Sequence, residues 1–341
     1  MLDISDILGQ DHAIAPLLNA FRTDHLPHAL LLTGPVGVGK GTLARALGKL
    51  FLCESPRDSA ACNQCSACRM IGSDTHPDFH LIYRQLIRLE KSKAKARDLP
   101  VDVIREFVVK PAGLRTFMGR GKVFIIEEAE TMNTQAQNAL LKTLEEPAGR
   151  TLIILLTDQP QALLSTVRSR SQLIKLLPLP ESVVVQQLVK RQIDRQQATE
   201  AARLASGSLG LAIKWIEDGI VTGGLSWLAL LDTIIAGQPA DDLPDMLKKS
   251  VEAYAERQLQ IDPAASKDQA SKEGLAIYLR LASEHLRKQM QMTDDDALLD
   301  ALCTAIETIA SADVNIDANV TVSLVYQQIV VGLEGAFAGS I

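Results

Sequence analysis

An α/β module with a parallel sheet, followed by an all-helical C-terminal part, is the fold the sequence predicts. Two observations carry that expectation. Short continuous apolar runs recur in the first half, as in a sheet buried on both faces: Ala29–Thr33, Phe79–Tyr83, Val123–Ile126 and Leu152–Thr157. Helical periodicity separates them, and from Leu179 onward strand signals largely vanish. The 341 residues suffice for two or three domains with separate cores. Aromatics at 4% leave those cores to Leu, Ile, Val and Ala, which suits a helix-rich chain.

In chain order, Ala29–Thr33 leads into a glycine-rich turn, and Gly41–Phe51 continues as an amphipathic helix. Thr134–Leu144 is a second clear helix, with Thr134 and Gln137 placed as a capping box and Pro147 beyond its end. Pro178 and Pro180 punctuate a hinge. The expected boundaries are 1–178 for the α/β module, with a cysteine-bearing insertion at 53–68, then 179–222 for a small helical unit and 223–341 for a separate helical domain. Turn signals fall at Gly237–Pro239 and Ile261–Pro263.

Charge and composition exclude several classes. The net charge of −6 and pI near 5.6 argue against a protein that coats DNA, so nucleic-acid contact should be local or delegated to partners. Arg84–Arg97 has six basic residues and one acidic one, and reads as a solvated surface segment. No segment reaches the ~18 uninterrupted apolar residues of a membrane span. The start, MLDISDILGQ, lacks a basic then apolar leader, so a cytoplasmic location is expected.

Gly34–Thr42, GPVGVGKGT, is a phosphate-cradle signature. Gly34, Gly37 and Gly39 let successive backbone N–H groups point into one concavity, and Lys40 supplies charge for terminal phosphates. The pattern ordinarily ends Gly-Lys-Ser/Thr, with that hydroxyl on magnesium. Here Gly41 takes the hydroxyl position and Thr42 follows. The companion acidic pair is Glu127 and Glu128, at the end of a buried run. Glu127 stands where Asp is expected. Its extra methylene shifts the carboxylate by about 1.5 Å, a misplacement that can cost ~100-fold in rate. ATP or ADP with Mg2+ is the implied ligand, and fast hydrolysis is not expected.

Four of five cysteines, Cys53, Cys62, Cys65 and Cys68, cluster within sixteen residues. In a reducing compartment that spacing points to a structural, tetrahedral zinc site whose four positions are all filled by protein. His76 and His80 lie nearby, but four sulfurs already suffice. Cys303 falls at helical spacing and is expected in the core, as packing residues, with Trp215 and Trp227.

These residues together resemble the clamp-loader subunits of bacterial DNA polymerase III, members of the AAA+ group. The carriers are ILGQ at Ile7–Gln10, HALLLTGPVGVGKGTLA at His28–Ala44, the four cysteines, KVFIIEEAETMNTQAQNALLKTLEEP at Lys122–Pro147 and STVRSRSQ at Ser165–Gln172. The resemblance covers residues 1–220 well and the remainder loosely. It implies a P-loop AAA+ module with a zinc insertion, a small helical lid and an all-α C-terminal collar that joins a pentamer. Val314–Leu333 resembles the last collar helix.

It also implies roles. Arg170, in Ser169-Arg170-Ser171, would reach into a neighbouring subunit's ATP site as a trans arginine, a device that can contribute ~10³–10⁵ in rate. Thr157 would be a sensor residue, and Gly210 stands where the family ATPases place a sensor arginine. Gly41, Glu127, Gly210 and the lack of an extension beyond the collar favour a non-motor subunit over the motor ATPase. Implied partners are a motor ATPase and a delta-type subunit, the sliding clamp, and primed DNA through the complex; no membrane is implied. An active ATPase of the same family stays open, as does a nucleotide kinase, whose loops also carry Gly-Thr after the lysine. A free zinc-ribbon nucleic-acid binder conflicts with the acidic balance.

Overall fold

The computed structural model describes residues 4–86, 98–238, 242–262, 266–317 and 322–338. The chain divides into two compact units, Met1–Pro180 with Gly207–Gly210, and Glu181–Ser206 with Leu211–Ile341. Residues 87–97, most of the basic segment, lie outside the described residues, as do Pro239 and Pro263 of the expected turns.

The first unit is built on five parallel strands: β1 (Ala29–Thr33), β2 (Phe79–Ile82), β3 (Lys122–Ile126), β4 (Thr151–Thr157) and β5 (Gln172–Lys175), in the spatial order β2-β3-β4-β1-β5. Every residue of β1, β3 and β4 is buried, which is why those runs lack polar alternation. Successive side chains feed opposite layers. Leu30, Leu32, Val123, Ile125, Leu152 and Ile154 pack with helices α1 (Asp11–Arg22) and α2 (Lys40–Leu52). Leu31, Phe124, Ile126, Ile153 and Leu155 pack on the other face against helix Thr134–Glu145 and the helical stretch 101–113. Each fully buried Leu or Ile contributes about 1.5–3 kcal/mol.

The four expected strands are present to within one residue at each end. Sequence patterning missed β5. It is an edge strand, paired to β1 alone and largely exposed, so Gln172 and Lys175 dilute its apolar pattern.

The capping box at Thr134 is corrected by one residue. Asn133 caps the helix, its Oδ1 accepting the Ala136 N–H at 2.8 Å, and Thr134 is the first helical residue. Gln137 instead turns inward, donating to the Met132 carbonyl (2.9 Å) and accepting the Leu164 N–H (2.7 Å). A buried amide with partners at both ends ties the helix to the segment after β4.

From Glu181 onward the described residues form helices and turns only. Val314–Leu333 is not one helix: Val314 lies in Asp296–Asp317, and Leu333 in Val322–Phe337. Trp215 and Trp227 are buried as expected, and the Trp227 indole N–H donates to the Tyr278 carbonyl at 2.8 Å. Cys303 is exposed, contrary to expectation. Its helix buries Ala301, Leu302, Ala305 and Ile309, and that phase turns position 303 to solvent. Among the described residues no single helix is long and apolar enough to cross a membrane.

Trp227→Ala should cost about 3–5 kcal/mol through the cavity left in the helical core. Urea unfolding checks this, and an unmoved midpoint would contradict the packing described.

Candidate functional site

Parallel pairing aligns Thr33 with Thr157, so the ends of β1 and β4 meet at one edge of the sheet. The glycine loop leaves β1 there. Gly34 has φ +143°, and a Cβ on it would lie 2.5 Å from the Leu176 carbonyl oxygen. Only glycine fits this turn. Gly37 and Gly39 also hold positive φ, and α2 starts at Lys40. The Lys40 ammonium donates to the loop's own Gly34 and Pro35 carbonyls, at 2.6 and 3.0 Å. Gly41 faces open space: nothing within 4 Å would meet a Cβ, so packing does not require glycine there.

Gly210, grouped with the first unit, lies against this loop. Its N–H donates to the Gly37 carbonyl at 3.2 Å, and a Cβ would sit 2.9 Å from that oxygen. An arginine at 210 therefore requires the loop or the segment to shift.

The acidic pair splits into two environments. Glu127 is half-buried, and burial pushes its carboxyl pKa up; Arg45 opposes this and Glu128 adds to it. Glu128 is exposed, has φ +50°, and is held by Arg84 through Nε–Oε2 (2.5 Å) and Nη2–Oε1 (3.0 Å). Thr157 is buried, accepts the Gln159 N–H at 3.0 Å and hydrogen-bonds Glu130. Burial raises the Glu130 carboxyl as well, against the Thr157 bond. Patterning named Glu127, Glu128 and Thr157 but missed Arg45, Arg84 and Glu130. Only Glu130 sits beside the motif, and Arg84 lies 44 residues from its partner.

Arg170 precedes β5 and so lies at the opposite edge of the sheet from the cradle. Its guanidinium pairs with Glu145 and donates to the Thr166 carbonyl at 3.0 Å. Ser171 is buried and donates to the Val167 carbonyl at 3.0 Å.

The four cysteines converge, their sulfurs all within 4.8 Å of one another. A tetrahedral thiolate site with metal–sulfur bonds of about 2.3 Å places its sulfurs ~3.8 Å apart, so the donors fit with a small contraction. Cys53 ends α2, and Cys65 caps helix α3 (Ser66–Gly72). The Cys62, Cys65 and Cys68 N–H groups donate to sulfurs of Cys53, Cys62 and Cys65 at 3.2, 3.3 and 3.4 Å. Backbone N–H groups of Gln64 and Cys65 lower the Cys62 thiol to about 6, whereas burial pushes Cys53 and Cys68 up. A cation would reverse that burial penalty. His76 and His80 are not part of the cluster: His76 is buried and accepts the Asp78 N–H at 3.1 Å, and His80 stacks on Phe124. The cluster could hold a metal ion.

A parallel α/β unit with a glycine-rich loop at the end of its first strand and a four-cysteine cluster is thus the class the geometry defines. A family model described as "DNA polymerase III, delta subunit" matches residues 9–180, and the chain belongs to that family. The chain is 38% identical over 192 residues to DNA polymerase III subunit delta' of Pseudomonas aeruginosa, covering 55% of this chain and 54% of that protein. It is 36% identical over 198 residues to the delta' subunit of Escherichia coli, covering 58% and 57%. It is 31% identical over 261 residues to the E. coli subunit tau, covering 74% and 39%. The chain therefore spans little more than half the length of the delta' relatives it matches.

Metal analysis of the purified chain in reducing, chelator-free buffer should find about one divalent ion per chain, lost together with thermal stability in Cys68→Ser. Finding none in the unaltered chain would dismiss the site. A carboxyl whose pKa is raised on folding favours the fold at low pH, and that gain disappears as pH rises through the folded value. Glu127→Gln should therefore raise Tm more at pH 7 than at pH 4. An equal shift at both would show that ionisation of Glu127 is not opposed by its surroundings.

Proposed function

We propose that this chain is the delta prime subunit of a DNA polymerase III clamp loader, a non-motor AAA+ subunit that helps open the ring-shaped sliding clamp and place it on primed DNA. Residues 1–178 would be the nucleotide module, 179–222 its helical lid and 223–341 the collar that assembles with a motor ATPase and a delta-type subunit in the cytoplasm. The clamp would be a direct partner, and DNA would be met through the complex. In this reading Cys53, Cys62, Cys65 and Cys68 hold structural zinc, and the cradle can take ATP or ADP with Mg2+.

The observation that carries the reading is the state of the acidic pair. A water-activating carboxylate must be free to accept a proton. Glu128 is held by both arms of Arg84, which occupies both of its carboxylate oxygens. Gly41 offers no hydroxyl for magnesium. The chain would keep a loop able to hold phosphate while Glu128 of the acidic pair is engaged by Arg84.

Arg170 would act in trans. β5 separates it from the level of its own cradle by four residues, roughly 13 Å of strand. That distance is too great for it to serve its own phosphates. The Glu145 partner would hold the guanidinium until a neighbour's phosphates displace it.

The likeness to tau over 261 residues favours one second reading, an active motor subunit. Family membership leaves the kinase reading without support.

ATP turnover should be negligible for the isolated chain and appear when a motor subunit and clamp are added. Arg170→Ala should lower turnover at the adjoining site by ~10³-fold or more while the assembly stays intact by gel filtration. Unchanged turnover would dismiss the trans role. Solitary turnover abolished by Lys40→Ala would favour the motor reading instead.

A further inference from the structure

The edge of the sheet opposite the glycine loop carries a cavity of about 490 Å³. It opens where β3 and β4 begin, and its lining includes Leu114, Arg115, Lys122, Gly149 and Arg150. Its three charged lining residues are all cations, in a chain whose net charge is −6. Two of them are poorly solvated: burial lowers the pKa of both Lys122 and Arg150. Arg115 is exposed and makes no hydrogen bond or ion pair among the described residues.

The rim is held rigidly. Asp78, buried beneath the loop, accepts the Phe117 and Met118 N–H groups at 2.9 Å each. The buried Lys122 ammonium donates to the Pro111, Ala112 and Leu114 carbonyls. Two buried charges of opposite sign thus fix the backbone on which Leu114 and Phe117 stand, yet these side chains are 63% and 79% exposed. Single exposed apolar residues are ordinary. Two of them within four positions, on a pinned loop beside a cationic cavity, form a prearranged contact surface that loses little entropy on binding.

We propose that the loop Gly113–Gly121 and this cavity form a docking site for an acidic peptide segment of a partner protein, one that carries an aliphatic or aromatic side chain beside its carboxylates. The apolar side chain covers Leu114 and Phe117, and a carboxylate meets the Arg115 guanidinium at the cavity mouth. Charge complementarity selects this occupant. A nucleic-acid track needs a run of free cations along the phosphates. Here Lys122 and Arg150 are already bonded to backbone carbonyls, and the rim is apolar.

The test is selection of a random peptide library on the immobilised full chain, followed by fluorescence polarisation with the recovered peptides. Expected are peptides enriched in Asp or Glu beside Leu or Phe, weakened by salt. Phe117→Ala and Arg115→Glu should each weaken their binding about tenfold or more. Both altered side chains are exposed, so Tm should be unchanged and the loss assignable to the surface. Recovery of no peptide above background, of peptides without acidic residues, or of peptides that bind both variants as tightly as the parent would overturn the proposal. Displacement of the peptides by millimolar inorganic phosphate or by duplex DNA would also overturn it, and would reassign the cavity to phosphate.

Discussion

The pairing of β1 with β4 on one side and β5 on the other is the constraint on which the rest depends. β1 has five residues, all buried, and each contributes to a ladder on at least one side. Its end cannot shift without breaking both ladders, so the turn at Gly34 starts from a fixed point. Parallel strands also force the chain back to the opposite edge after each one. Gly34, Glu127 and Thr157 consequently collect at one edge, and Lys122, Arg150 and Arg170 near the other. One sheet separates two chemically different surfaces.

At the cradle edge, orientation matters more than stability. The Arg84–Glu128 pair is partly exposed and contributes only about 0–1 kcal/mol to folding. Its consequence is geometric: both carboxylate oxygens of Glu128 are engaged by one guanidinium. Lys40 is similarly engaged, since its bonds to Gly34 and Pro35 must yield before the ammonium can turn toward a phosphate. Such charge-assisted bonds raise the threshold for a productive arrangement. The proposed non-motor role rests on that engagement of Glu128 and Lys40.

Legibility in the sequence tracked how local each cause was. Ala29–Thr33 was readable to the residue because both faces are covered and apolar side chains run without interruption. β5 was not, because an edge strand with one neighbour tolerates Gln172 and Lys175. The cysteines were legible because three of the four sit at x2 spacing across one short segment, the last of them in the first turn of α3. The partners of Glu128 and Arg170 were not: Arg84 is 44 residues and Glu145 25 residues away, and no pattern joins such pairs. Cys303 failed for a different reason. Its neighbours set a helical phase that spacing alone left ambiguous by one position. The cap at Thr134 failed the same way, since Asn133 beside it is an equally good acceptor and its position at the true helix start decides.

Helix α2 joins the glycine loop to the four-cysteine cluster. Its 13 residues span about 20 Å, from Lys40 beside the glycine loop to Cys53 at its other end. The last carbonyls of that helix are the electronegative end of its dipole and need donors. Arg150 supplies one to Phe51 at 2.7 Å, and Arg120 one to Cys53 at 3.1 Å. The Arg150 guanidinium also lies 3.8 Å over the Phe51 ring. A metal held by Cys53, Cys62, Cys65 and Cys68 would fix the helix end by coordination where those hydrogen bonds fix it electrostatically. With all four donors supplied by protein, such an ion has no open position for a substrate. Its physical effect would be on the rigidity of the helix that joins the cysteine cluster to the glycine loop some 20 Å away.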